Sequence, residues 1–403
     1  MAKKLQADEW LFAATAALAL FGVVMVYSAS ADISFHQFGS QYYYVARQAV
    51  WTVGGLALML AASQVDYRLF SRRFVVIGLL VTTVLLLVAV FGFPPVNGAR
   101  RWIRLPGGFT FQPSEFSKIV LAIFLARLLE RRAGEEASFK RTFVPCLVVT
   151  GVLAGLVAKE PDLGTAMMLG VVCLVMLYTA GARIAHLGML GGLGLAGVVV
   201  MLITSPWRMG RIWAYLRPWD DAQGKGFQVV QSLIAVGSGG TNGLGFAEGR
   251  QKMFFLPFAH SDYIFAVVGE ELGLVGALTV LAVFALFLWR GVRAVRRAPD
   301  RFGMLLGMGI VTGIVAQALF NMSVVLSLVP SKGIPLPFIS YGGSSMLLTL
   351  GAVGVLLNIS QQGTEQSALL QERAFAQAAE SVRAKSEVRH RPPVTQTWRP
   401  EGR

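Results

Sequence analysis

The constraint that decides most about this chain is a succession of apolar segments, each about as long as a bilayer's hydrocarbon is thick. They run over 10–29, 47–65, 74–93, 114–130, 143–159, 164–181, 186–204, 263–289, 303–328 and 342–358. A helix needs roughly 20 apolar residues to cross ~30 Å of hydrocarbon. The segments are continuous and rich in Leu, Val, Ala and Gly, unlike the alternating ~10-residue strands of a membrane barrel. The expected fold is therefore an all-α polytopic membrane protein, a bundle of about ten transmembrane helices. Composition agrees: 55% of the 403 residues are hydrophobic and 14% charged, against ~25% charged in a soluble domain. Lys3, Lys4 and Ala29-Ser30-Ala31 give the first segment the outline of a signal peptide. Its apolar run is longer than a signal core and nine more segments follow, so it is expected to be retained.

Charge sets the orientation. With the N-terminus in the cytoplasm, 16 Lys and Arg fall in cytoplasmic connections and 12 in outer ones, with the tail left aside. The positive-inside rule favours this arrangement, with both termini cytoplasmic and a long outer loop, 205–262, between spans seven and eight. The outer bases include Arg100, Arg101 and Arg104 in one short loop and Arg208, Arg211 and Arg217 in the long one. Singly each could snorkel to the headgroups; as a group they suit an anion at the outer membrane face. The net charge of +14 comes largely from this topology and from the seven bases after Gln361, so it does not imply nucleic acid binding. Three regions follow: a cytoplasmic N-terminus (1–9), the membrane domain (10–361) and a cytoplasmic tail (362–403), charged and helical over 364–388 and disordered over 389–403.

Polar residues beside apolar runs mark the candidate sites. LPFAHSDYIFAVVGEELG (256–273) sets His260-Ser261-Asp262 against the start of a span that then carries Glu270 and Glu271. Ionisable groups there are expensive and become functional candidates by default. Asp262 could instead cap the following helix. The two glutamates lie about 12 Å further along that helix, at ~1.5 Å per residue, and are assigned to packing or a buried polar network. QPSEFSK (112–118) places Glu115 and Lys118 on one helical face, as a site or a satisfied ion pair. KEPDLGTA (159–166) carries Asp162, as a site residue or a cap. In the long loop, FQVVQSLIAV (227–236) is too short to span; Phe227, Val230, Leu233 and Ile234 share one helical face. The glycine-rich 237–249 matches no nucleotide-binding pattern; it reads as a built loop and is expected to face Asp262. With no Walker-type motif anywhere, a reaction here would be driven by an activated substrate. Gly188/Gly192 and Gly303/Gly307 read as helix-packing pairs. Cys146 and Cys173 lie inside spans and the four His are scattered, so neither disulfide nor metal spacing is present.

These motifs, NGARRWIRLPGGFTFQPSEFSK (97–118), PDLGTA (161–166), GFQVVQSLIAVGSGG (226–240), LPFAHSDYIFAVVGEELG and PSKGIPLPFISYGGSS (330–345), followed by LLNIS (356–360), occur in the order found in the SEDS family (shape, elongation, division and sporulation). The resemblance runs over about 10–361. Gly226-Phe227-Gln228, GRQKMFFLP and Pro330-Ser331-Lys332-Gly333 resemble its division-type members more than its elongation type. The resemblance implies a peptidoglycan glycosyltransferase that polymerises lipid II outside the cytoplasmic membrane, at the septum. It also implies a class B penicillin-binding protein transpeptidase, other division proteins and membrane lipids as partners. The catalytic aspartate of the family matches Asp262. Substrate binding is expected from Arg101, Glu115, Lys118, Asp162, Arg211, Arg217, Lys332 and Ser340. Where relatives commonly carry an acidic or small residue between the Pro and the Ala-His, this chain has Phe258, which leaves Asp262 no carboxylate beside it. The chemistry requires no cofactor, and a divalent cation (Mg2+ or Mn2+) could join Arg and Lys on the pyrophosphate. A lipid II flippase would use the same groove and cations but needs no base; a scaffold would need neither.

Overall fold

The computed structural model describes residues 8–364, apart from 97, 105, 107–109 and 254; the region beyond 364, with its expected helix and disordered end, lies outside the described residues. Within them run α1 (Glu9–Phe38), α2 (Tyr43–Gln64), α3 (Arg73–Ala89), α4 (Pro113–Arg131), α5 (Val144–Lys159) and α6 (Leu163–Ala180). They continue as α7 (Ile184–Ile203), α8 (Pro206–Leu216), α9 (Phe227–Ser238), α10 (Ile264–Arg296), α11 (Arg301–Val325) and α12 (Gly343–Thr364). Among the described residues, nine helices are long and apolar enough to cross a membrane. The tenth expected span, α4, carries Glu115, Lys118, Arg127, Glu130 and Arg131, yet packs in the middle of the bundle against α11, α6 and α3. The expected helical bundle is the fold.

Helix ends follow local chemistry. The carboxylates of Asp8, Asp162 and Asp300 accept backbone N–H groups at the starts of α1, α6 and α11. Gly39 and Gly181 end α1 and α6 in the left-handed conformation. Tight core packing joins α1, α4, α6, α10, α11 and α12, whereas α7 buries only Leu190 along its length. The two glycine pairs divide accordingly. A side chain at Gly303 or Gly307 would strike Tyr67 or Val295, so that pair does allow close packing, while among the described residues nothing lies within 4 Å of a Cβ built at Gly188 or Gly192.

The long helix α10 is broken at Gly273 (φ 65°, ψ −162°). The break frees main-chain groups that the glycine-rich loop takes up: Leu244 and Gly245 N–H donate to the carbonyls of Glu270 and Glu271, and Leu274 N–H donates to Gly240 O. The buried Glu270 and Glu271 side chains hold the same loop. Glu270 accepts Arg250 N–H at 2.8 Å, and Glu271 pairs with Lys252 at 2.7 Å and accepts the Ser28 hydroxyl at 2.6 Å. These glutamates therefore form the buried polar network expected of them.

α9 lies against α10 and α11, with Ser232 Oγ donating to Val325 O at 2.8 Å. Contact on two sides buries Val229, Val230, Ser232 and Ala235 and leaves Ile234 exposed, so the single apolar face expected for this helix is not the one used.

Candidate active site

The connections after α3, α7 and α11 converge over one end of the bundle and enclose a cavity of about 270 Å3. Asp262 enters it from the turn before α10. That helix starts from Tyr263 with no side-chain cap, so the Asp262 carboxylate is not used as a cap. Its main chain is held instead. Asn321 Nδ2 of α11 donates to Asp262 O and to Ile334 O, both at 2.8 Å. Ser340 Oγ donates to Ser261 O at 2.6 Å and accepts Leu336 N–H at 2.8 Å, and Tyr341 N–H donates to His260 O at 2.9 Å. The 331–342 loop thus clamps the aspartate turn, leaving the carboxylate as the turn's free chemical group. Gly333 passes so close that a Cβ there would lie 2.7 Å from Asp262 Oδ2.

Three cations, Arg101, Arg211 and Lys332, line the same cavity, and the two arginines act on this carboxylate. A short hairpin, β1 (Ile103–Arg104) with β2 (Thr110–Phe111), folds the α3–α4 connection over the cavity and seats Arg101. Arg101 Nε donates to Glu160 O at 3.1 Å, and its guanidinium also donates to Pro161 O, both carbonyls. The fully buried Glu160 carboxyl is pushed up to about 9 by burial and then by Asp162, against the pull of Arg101, so it is neutral at pH 7 and does not cancel the Arg101 charge. Arg211 donates to Ser331 O at 3.4 Å. Burial pushes Asp262 up to about 6, with Arg101 and Arg211 drawing it down and Asp162 adding to the rise. Burial, with Arg211 and Arg208 next, brings Lys332 down to about 8. A carboxylate that titrates just below neutrality among fixed cations can take a proton from a hydroxyl while the cations hold an anion.

The other expected site residues are distributed behind and around this cavity. Asp162 is occupied as the α6 cap, accepting Thr165 N–H at 3.1 Å and Thr165 Oγ1 at 2.9 Å, with Gln112 Nε2 at 3.2 Å. Its charge reaches Asp262 through that wall. Ser340 positions the loop through the bonds given above. Glu115 and Lys118 pair at 2.8 Å and border a smaller cavity between α4, α11 and α12. They connect to the first cavity through Ser345, which lines it and donates to Glu115 Oε2 at 2.7 Å. Arg217 is exposed beyond the end of α8, 3.8 Å from Asp220, and is not brought to the cavity. Nor is the glycine-rich loop, which occupies the α10 break and does not face Asp262 as expected. Phe258 stands at the cavity edge in a left-handed conformation (φ 57°).

Trp102, Gln112, Gln228 and Tyr341 line the cavity without having been singled out, and Asn321 and Gln48 brace it. The one signal they offered was an uncharged amide or ring at the end of an apolar run. Among the described residues no three His, Cys, Asp or Glu side chains gather into a metal site, and Asp262 is the only carboxylate among the cavity-lining residues. The described residues thus do not by themselves form a cage for a divalent ion.

Fold and site together define a polytopic helical membrane protein with an acid-and-cation cavity at one membrane face. The chain belongs to the FtsW/RodA/SpoVE family, described as "Cell cycle protein", whose model matches residues 9–365. It is 43% identical over 363 residues to Stage V sporulation protein E of Bacillus subtilis, covering 89% of this chain and 98% of that one. It is 45% identical over 345 residues to the "Probable peptidoglycan glycosyltransferase FtsW" of Geobacter metallireducens, covering 85% and 92%. Among solved structures it is similar to one reported under "Structural coordination of polymerization and crosslinking by a peptidoglycan synthase complex". That match has a TM-score of 0.74 and 29% identity, over 89% of this chain and 99% of that one. It is also similar to the rod shape determining protein RodA of Thermus thermophilus, with a TM-score of 0.64 and 27% identity over 89% and 98%.

Proposed function

We propose that this chain is a peptidoglycan glycosyltransferase that polymerises lipid II on the outer face of the bacterial cytoplasmic membrane, with Asp262 as general base. The observation that carries this reading is the uncapped Asp262 carboxylate, held by its main chain in a cavity with Arg101, Arg211 and Lys332. Asp262 takes the proton of the acceptor GlcNAc 4-hydroxyl, whose oxygen attacks C1 of the donor MurNAc from the face opposite the leaving group. The new C1–O bond forms as the C1–O bond to pyrophosphate breaks, and undecaprenyl pyrophosphate leaves with the electron pair. The three cations hold the departing charge, so no separate acid is needed.

Within the family we place the chain with the division-type members, on its GFQ, GRQKMFFLP and PSKG motifs. By its similarity to a synthase complex, its partner is a class B penicillin-binding protein transpeptidase. Both termini are assigned to the cytoplasm, and its site of action to the septum.

The test is purified protein with the transpeptidase partner and labelled lipid II. Wild type should make polymer, and Asp262→Asn should lower the rate by at least about 100-fold. Polymer from the Asn variant at the wild-type rate overturns the assignment. Lipid II crossing vesicles without polymer from wild type would favour a flippase instead.

A further inference from the structure

Tyr341 belongs to the cavity wall, and from it a run of rings leads away along the α1–α2 hairpin. Its ring lies 5.1 Å from that of Tyr44, Tyr44 lies 5.4 Å from Tyr43, and Tyr43 stacks on Phe38 at 3.7 Å. His260 packs against the start of the run, 4.7 Å from Tyr44 and 5.7 Å from Tyr341. Near its outer end the Arg47 guanidinium sits 4.6 Å above the Tyr43 ring, and Phe38 is 47% exposed. Polar groups accompany the rings: Tyr44 OH donates to Gln37 Oε1 at 3.0 Å.

An aromatic belt at the membrane interface would also gather tyrosines. Two observations set this track apart. α1 has 30 residues, about 45 Å of helix against ~30 Å of hydrocarbon, so its last turns project past the apolar layer. Those turns carry Asp32, His36 and Gln37 at exposed positions, which a lipid-facing surface would exclude. The track therefore faces water, is continuous with the cavity, and combines ring faces, an amide and a guanidinium. Ring faces stack on the C–H faces of sugars, amides take hydroxyls, and a guanidinium takes a carboxylate.

We propose that the surface from Tyr341 through Tyr44 and Tyr43 to Phe38 holds the growing saccharide strand as it leaves the Asp262 cavity. This rests on the glycosyltransferase reading and adds a product-binding site to it. A strand held there stays near the base between additions, so the track sets strand length and not the rate of the first transfer.

The full-length protein with its transpeptidase partner and labelled lipid II provides the test, with initial consumption and strand length both measured. Phe38→Leu with Tyr43→Leu keeps the apolar volume and removes the rings. Initial consumption should stay within about twofold of wild type while mean strand length falls about fivefold, the effect expected from losing stacking contacts. Phe38→Trp with Tyr43→Phe should keep wild-type length. Unchanged length in the leucine pair overturns the track, as does equal shortening in the ring-keeping pair or loss of initial rate with length preserved. Wild type without any polymer would instead sink the glycosyltransferase reading itself.

Discussion

Asp162 and Asp262 both lie next to apolar runs, and the chain gives them opposite fates. Thr165 stands three residues after Asp162 and takes its carboxylate as a cap, whereas the helix after Asp262 starts two residues later, from Tyr263, without a side-chain cap. The free carboxylate then titrates in the working range. As a base Asp262 must be ionised, so activity should rise with pH through about 6. Lys332 must be protonated to hold pyrophosphate, so activity should fall through about 8. The expected kcat/KM profile is a bell between these limbs, and Lys332→Arg, which cannot deprotonate, should remove the alkaline one. A Gly333→Ala side chain would press on Asp262 Oδ2. It should lower kcat on the order of 10- to 100-fold at normal expression, since small displacements of a reacting group are costly. At this scale the proposed base and all three cavity cations were legible: Asp262 because charge beside an apolar run is rare, Arg101 and Arg211 because bases gather in the outer loops, and Lys332 through the family resemblance. Gln112, Gln228 and Asn321 were not, because one neutral amide near a span end carries no pattern.

Among the elements, α10 shows how a break can be a docking device. Gly273 takes φ 65° and leaves main-chain groups for the 240–245 loop, and a side chain there would meet Gly243 N and Thr241 O. Gly273→Ala should lower the melting temperature of the purified protein by several degrees and expose the loop to protease. The buried Lys252–Glu271 pair closes the same junction, with side chains 4% and 0% exposed. Lys252→Met leaves a buried carboxylate without its cation and should cost about 3–5 kcal/mol, while adding Glu271→Leu should recover much of that loss. Thermal melts of the single and double variants measure the difference. The composition of Gly-rich 237–249 marks a built loop, but its expected place facing Asp262 is not the one it takes. Its true partner is the helix break, which depends on Gly273 adopting a conformation that local periodicity does not reveal.

For the whole molecule, the proposal that the cavity face lies outside the cell rests on charge asymmetry. With both native cysteines buried, a maleimide that cannot cross the membrane has low background. Ser40→Cys in the α1–α2 turn should label in intact cells, and Ala137→Cys between α4 and α5 only after permeabilisation; the reverse would invert the topology. The ten spans, the long loop and the acid at its end follow from the sequence by itself. A helix that crosses hydrocarbon must be long and apolar, and any charge within it is costly enough to stand out. Which of the polar residues meet was decided by tertiary structure alone. Arg101, Arg211, Asp262 and Lys332 come from four separate stretches, and only tertiary packing brings α8, which carries Arg211, and the loops that carry the others around one cavity. The same packing turns Asp162 into a cap, leaves Arg217 outside and lets a row of rings run from the cavity wall along the α1–α2 hairpin.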